Sequence, residues 1–148
     1  MKKSWNLALL LIGLIVATFA SPAFAKNWVQ IGDGHYIDAE SIRPTAYYGS
    51  YTMDTKYLGK SSPLEVVNNI PIWTIKTHSY IDCKAAYAKT LSYTALDGNE
   101  RVVVSDKNIG KQWFGINNPG SRAHESYLFV CTDKYLNVRP GYRNLWWY

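Results

Sequence analysis

YAKTLSYTALDGNERVVVS, residues 87–105, carries the pattern that decides the fold. Residues 87–96 read as a strand, Asp97-Gly98-Asn99 as a turn, and residues 101–105 as the returning strand, with Val102-Val103-Val104 as a central partner. β-branched and aromatic residues on both sides of an Asp-Gly turn are the strongest short-range hairpin signal. Upstream, residues 70–81 predict a second long strand, with Trp73, Ile75 and Thr77 on one face and Ile72, Thr74 and Lys76 on the other. Residues 60–69, rich in Ser, Pro and Asn, predict a loop. Residues 51–58 alternate in the same period of two, and Trp28 to Ile31, Gly32-Asp33-Gly34 and His35 to Ile37 make an opening hairpin. Residues 38–42 predict one turn capped by Asp38 and ended by Pro44.

Downstream, residues 111–116 add a strand around Trp113 and Phe114. The period then changes. Ser121 is an N-cap, and Ala123, Tyr127, Val130 and Cys131 fall at i, i+4, i+7 and i+8, one face of a helix. The expectation is therefore α+β: a small antiparallel sheet of about six strands with a C-terminal helix packed on one face.

The N-terminal stretch reads as an address. Lys2 and Lys3 precede an apolar run from Leu7 to about Ala20, and Ala23 and Ala25 supply the small residues of a cleavage site before Lys26. Residues 1–25 are expected to be a signal peptide, because an apolar run of about 14 residues is shorter than the roughly 20 that a spanning helix needs. Residues 26–148 then form a single domain with no transmembrane segment. No cysteine stands directly after the apolar run, so no lipid anchor is expected. The formal charge of +5 falls to +3 without Lys2 and Lys3. That is short of a nucleic-acid footprint, so no nucleic-acid partner is expected.

Two cysteines, Cys83 and Cys131, remain in the exported part. In an oxidising compartment such a pair reads as a disulfide, the alternative being two buried free thiols. It would tie the last turn of the helix to the segment after residues 70–81.

Chemistry is sparse. His35 with Asp38 and His78 with Asp82 offer His–carboxylate pairs, but no serine sits in a nucleophile elbow, and no phosphate loop or metal-binding histidine pair occurs. Each histidine is expected to be a surface or satisfied polar residue. No catalytic residue, cofactor or metal is expected, and the chain is not expected to be an enzyme.

Lys76, Lys84 and Lys89 gather in sequence around Cys83, with Tyr80 and Tyr87 between them. They are candidate partner-binding residues or a solvated sheet face. The tail holds Arg139, Arg143, Trp146 and Trp147. Adjacent tryptophans near a terminus require a docking surface, the domain's own sheet or a partner.

Several short stretches stand in a telling order: Asn27-Trp28-Val29, Tyr36-Ile37-Asp38 with Ser41-Ile42, Tyr80-Ile81-Asp82-Cys83, Asp97-Gly98, Trp113, Pro119-Gly120-Ser121 and Val130-Cys131. In these, over roughly Trp28 to Cys131, the chain resembles the surface-adhesin protein E-like proteins of Gram-negative bacteria. The resemblance implies a small antiparallel sheet with a C-terminal helix, in the periplasm or at the cell surface. It also implies a non-enzymatic binding protein, adhesin-like, whose partners are host extracellular-matrix or serum proteins, with a homodimer left open. The namesake is lipid-anchored and this chain lacks the anchoring cysteine. The alternative is therefore a periplasmic structural or accessory protein that binds an envelope component.

Overall fold

The computed structural model describes residues 26–107 and 114–134. The expected signal peptide and the tail with Arg139, Arg143, Trp146 and Trp147 lie outside them.

The opening hairpin forms as expected, from Trp28–Gly32 (β1) and His35–Asp38 (β2). Gly34 takes φ of +64°, and a Cβ there would stand 2.5 Å from the Leu58 carbonyl oxygen, so this turn needs glycine. A 3-10 turn, Ala39–Ser41, follows, and the Asp38 carboxylate accepts from the Glu40 N–H as a cap should. Pro44 does not simply end it. With Arg43 it makes a two-residue strand, Arg43–Pro44 (β3), on an outer edge where the missing N–H costs nothing. Ser50–Leu58 (β4) comes next.

Residues 60–69 are not all loop. Glu65–Val67 (β5) and Ile70–Ile72 (β6) pair as a small antiparallel hairpin. Its turn residues Asn68 and Asn69 adopt φ of 49° and 64°, the left-handed pair of a tight hairpin turn that asparagine tolerates. The long strand expected over residues 70–81 is accordingly broken at Trp73 and resumes as Thr74–Asp82 (β7). Ile72 and Ile75 thereby reach the same core despite their opposite parity.

Tyr87–Leu96 (β8) and Val102–Asp106 (β9) form the expected hairpin. Its turn is held by Asp97, whose carboxylate accepts from the N–H groups of Asn99 and Arg101 and from the Arg101 side chain. Of the strand expected at 111–116, Phe114–Gly115 (β10) pairs with β8, and residues 111–113 lie outside the description. The helix Arg122–Cys131 (α1) begins at Ser121, whose Oγ accepts from the His124 N–H.

These strands make one antiparallel sheet in the order β1-β2-β4-β7-β8-β10, with β3 beside β4 and β9 beside β8. The path runs through six strands, and the unexpected β3 with the expected β9 brings the sheet to eight, against about six expected. A bulge between β7 and β8 pairs Ser79 with Thr90 and His78 with Ser92. The extra residue, Leu91, puts Ala88 and Thr90 on the same face as Tyr93 and Ala95.

One face is covered twice. At one end α1 sets Phe129 and Val130 on Ile37, Met53, Ile81 and Ala88. At the other, β5 and β6 fold over Ile75 and Ala95. Cys83 and Cys131 are bonded, with Cα atoms 5.5 Å apart, so the last turn of α1 is tied to the end of β7 as expected. Among the described residues no helix is long and apolar enough to cross a membrane.

Candidate functional site

The most built-up surface feature lies where the turn before β4 meets the β7–β8 connection. Residues 45–49 are pinned at their base. Thr45 N–H donates to the Ser50 carbonyl at 2.9 Å, Ser50 N–H to the Tyr47 carbonyl at 3.1 Å, and Cys83 N–H to the Gly49 carbonyl at 2.9 Å. The last bond joins the turn to the disulfide. On this base Tyr47 and Tyr48 stand 73% and 100% exposed.

Across from them, Asp82 accepts from the N–H groups of Lys84 and Ala85 and holds the β7–β8 turn. Lys84 is exposed, and Lys89 places its ammonium 5.4 Å from the centre of the Tyr80 ring. Two open depressions of about 650 and 680 Å³ meet at Tyr47, Tyr48 and Ser50. Lys84, Lys89, Tyr80 and Asp82 line one, and Cys83, Cys131 and Asp133 line the other. Ser50 is buried, and its Oγ has no hydrogen-bond partner among the described residues. The arrangement offers flat aromatic area, two ammonium groups and a fixed backbone. Those are the means of recognition, since tyrosine supplies contact area at small entropic expense.

The three sequence-predicted lysines do not converge. Lys84 and Lys89 share the groove, but Lys76 pairs with Lys56 and Thr94 four residues from Tyr80 along β7, about 13 Å away at roughly 3.3 Å per residue. Its neighbourhood is a second basic–aromatic patch, in which Lys56 lies 4.6 Å from the Trp28 ring centre and 5.2 Å from that of Tyr36. Arg139, Arg143, Trp146 and Trp147 lie outside the described residues. Tyr47 and Tyr48 were missed. The signal was available: adjacent aromatics between Pro44 and Gly49 sit in a turn, with no pleated face of their own to pack on.

The histidines find carboxylates other than those expected. Asp38 already accepts from the N–H groups of Asn27 and Glu40, and Asp82 from those of Lys84 and Ala85. His35 and Asp38, three apart in a strand, also face opposite ways. His35 instead meets Glu125, Nδ1 to Oε2 at 2.8 Å, and His78 meets Asp54 at the same distance. His35 is wholly buried, with Ser126 Oγ 3.4 Å from Nε2. Burial pushes its imidazole below the ordinary histidine range, Glu125 opposes the shift, and Arg122 adds to it. Neutral His35 donates from Nδ1 to Glu125 and accepts from Ser126 on Nε2. His78 lies on the open sheet face with Lys26 3.6 Å from the same Asp54. Among the described residues no three His, Cys, Asp or Glu side chains gather as a metal-binding group.

No family model matches the sequence, and the search of curated proteins returned no match. Solved structures do match. A crystal form II structure of Haemophilus influenzae protein E aligns over 79% of this chain and 97% of its own, at 14% identity and a TM-score of 0.55. A second structure of Haemophilus influenzae protein E aligns over 72% of this chain and 84% of its own, at 13% identity and a TM-score of 0.54. Protein E from non-typeable Haemophilus influenzae aligns over 78% and 83%, at 14% identity and a TM-score of 0.54. The chain has a protein E-like fold, as the resemblance in its sequence implied.

Proposed function

We propose that this protein is an exported, non-enzymatic binding module, adhesin-like, that holds a protein partner in the groove of Tyr47, Tyr48, Lys84 and Lys89. The observation that carries the reading is the pair of exposed tyrosines on a base pinned to the disulfide. A turn so fastened keeps its shape on binding, so little ordering is lost when a partner arrives. The neighbouring ammonium groups favour an acidic partner surface and steer its approach. The sequence resemblance to surface adhesins supports host extracellular-matrix or serum proteins as the partner class.

The test is a binding series with matrix and serum proteins across a range of salt. Replacing Tyr47 and Tyr48 together with alanine is expected to weaken binding at every salt concentration. Replacing Lys84 and Lys89 is expected to weaken it several-fold at low ionic strength and less at high, since each exposed charge contributes about 0.2–1 kcal/mol and is screened. Both double variants should melt as the parent does, because surface changes of this kind stay within roughly 0.5 kcal/mol. Binding that survives both changes moves the site to the Trp28–Lys56–Lys76 patch or to the tail. A parent protein that binds none of these partners refutes the adhesin reading and leaves the periplasmic accessory role.

A further inference from the structure

The covered face of the sheet is not covered throughout. Between α1 at one end and the β5–β6 hairpin at the other lies a recess of about 150 Å³, lined by Met53, Thr55, Tyr57, Ser79, Thr90, Arg122 and Ser126 among others. Met53, Ala88 and Ala123 give the recess apolar wall, and Thr55, Tyr57, Ser79, Thr90 and Ser126 each bring a hydroxyl to it.

The hydrogen bonds along that wall have a direction. Thr55 Oγ1 donates to the Tyr57 hydroxyl at 3.2 Å. Thr55 and Thr77 are joined at 2.6 Å, and Thr77 and Ser79 at 3.1 Å. A hydroxyl has a single proton to give. Once Thr55 donates to Tyr57, Thr77 must donate to Thr55 and Ser79 to Thr77. The chain therefore ends on the Tyr57 O–H, and among the described residues only hydroxyls, those of Thr55 and Thr77, stand within its reach. Burial holds that phenol above its ordinary range, so it keeps the proton. The Ser126 hydroxyl is already turned to His35. The Arg122 guanidinium lies 4.6 Å from the Tyr57 ring centre, and among the described residues no carboxylate pairs with it. Glu125, one turn away, is engaged by His35 and does not line the recess. The recess thus holds several hydroxyls and an exposed guanidinium to which, among the described residues, no carboxylate is bonded.

We infer that the recess is a binding site for a small oxyanion, of the size of acetate, sulfate or phosphate. The ligand's oxygens would accept from the Tyr57 O–H, the Thr90 hydroxyl and the Arg122 fork, the geometry that guanidinium groups present to carboxylate and phosphate. The site is independent of the tyrosine–lysine groove, and neither reading needs the other. The competing occupant is water. The volume admits about five molecules at roughly 30 Å³ each.

The experiment is titration of the purified protein at low ionic strength with acetate, sulfate and phosphate separately, followed by calorimetry and by NMR shifts of residues lining the recess. Saturable binding of at least one anion is expected, with shifts centred on Thr55, Ser79, Thr90 and Ser126. Arg122→Met should weaken it at least about ten-fold, because it removes a charge-assisted pair of hydrogen bonds. Tyr57→Phe removes that donor, together with the acceptor of Thr55 Oγ1, and should weaken it several-fold, while Lys89→Ala should leave it unchanged. Shifts that never saturate with any of the three anions overturn the inference and leave a water-filled recess. Binding undiminished by both Arg122→Met and Tyr57→Phe overturns it equally, by placing the anion elsewhere.

Discussion

Acidification should weaken this fold through His35, and the effect can be worked out from its surroundings. The ring is wholly buried between β2 and α1, with the Tyr57 ring centre 4.6 Å away, and burial depresses its affinity for a proton in the folded state. In the unfolded chain it titrates near the ordinary histidine value of about 6.5. Below that pH the unfolded state binds a proton that the folded state does not, so stability falls as pH falls. The loss begins near the unfolded value and ends at the lower folded one. Within that window it approaches about 1.4 kcal/mol per pH unit, so a loss of up to about 1.4 kcal/mol is expected by pH 5.5. Against a total stability of roughly 5–15 kcal/mol that is measurable.

The groups facing the ring are Glu125 and Arg122 from α1 and Tyr57 from β4. Glu125 works against the shift and limits its size. The assay is urea denaturation at pH 7.5, 6.5, 5.5 and 5.0 for the parent and for His35→Gln. The variant has its own loss of stability at every pH, so the comparison is between slopes and not between absolute values. His78 and His124 are present in both proteins and cancel. The parent should lose stability between pH 6.5 and 5.5 more steeply than the variant. Equal slopes would show that His35 does not titrate differently on folding. A parent that gains stability on acidification would mean that Glu125 wins over burial and that the sign is wrong.

Three further predictions concern the clamp between helix and sheet. The denatured, unreduced protein should have no titratable thiol. Replacing Cys83 and Cys131 with alanine should lower stability by about 4 kcal/mol on the chain-entropy estimate for a bond spanning 48 positions, read from the denaturation midpoint. Gly32→Ala should destabilise by about 1–3 kcal/mol, because its Cβ would stand 2.1 Å from the Glu125 carboxylate and must displace it from His35. A Gly32→Ala protein with an unchanged midpoint would show that the carboxylate has room to move and that its bond to His35 adds little.

The sheet and its helix were legible because both announce themselves by period. Residues 51–58 and 87–96 alternate, Ser121 caps a run whose apolar spacing is helical, and the cysteines fall where helix and sheet can be joined. Two local features were misjudged for a local reason. Asn68-Asn69 falls in a stretch whose composition reads as a loop, yet asparagines are well suited to a tight hairpin turn, and that hairpin breaks the long strand at Trp73. The histidine partners were not legible at all. His35 meets Glu125 from 90 positions away and His78 meets Asp54 from 24, pairings set by strand order and by where the helix lands. The recess was hidden for a third reason. Thr55, Thr77, Ser79 and Thr90 alternate as an outer polar face would, and polarity alone cannot tell an exposed hydroxyl from one lining a buried gap.

The same alternation decides how the two candidate sites stand to each other. Ser79 lines the recess and Tyr80 the groove; Thr90 lines the recess and Lys89 the groove. Neighbouring residues in a strand point to opposite faces, so β7 and β8 serve both sites with alternate side chains. A side-chain change on one face leaves the other in place unless the strand itself shifts. Such a shift is opposed at both edges of β7, which is paired along its length with β4 and β8 and fastened at its end through Cys83. The sheet is thus a rigid partition, and partner binding on its open face can be altered at Lys84 and Lys89 without disturbing the donors around Tyr57 and Arg122. The helix is different. It lends Arg122 and Ser126 to the recess, Glu125 to His35 and Cys131 to the disulfide beneath the groove, so α1 is the element through which the fold's stability touches both sites. Its contact with β2 runs through His35, and the recess takes a cation from α1, so protonation of His35 bears on the recess more directly than on the groove.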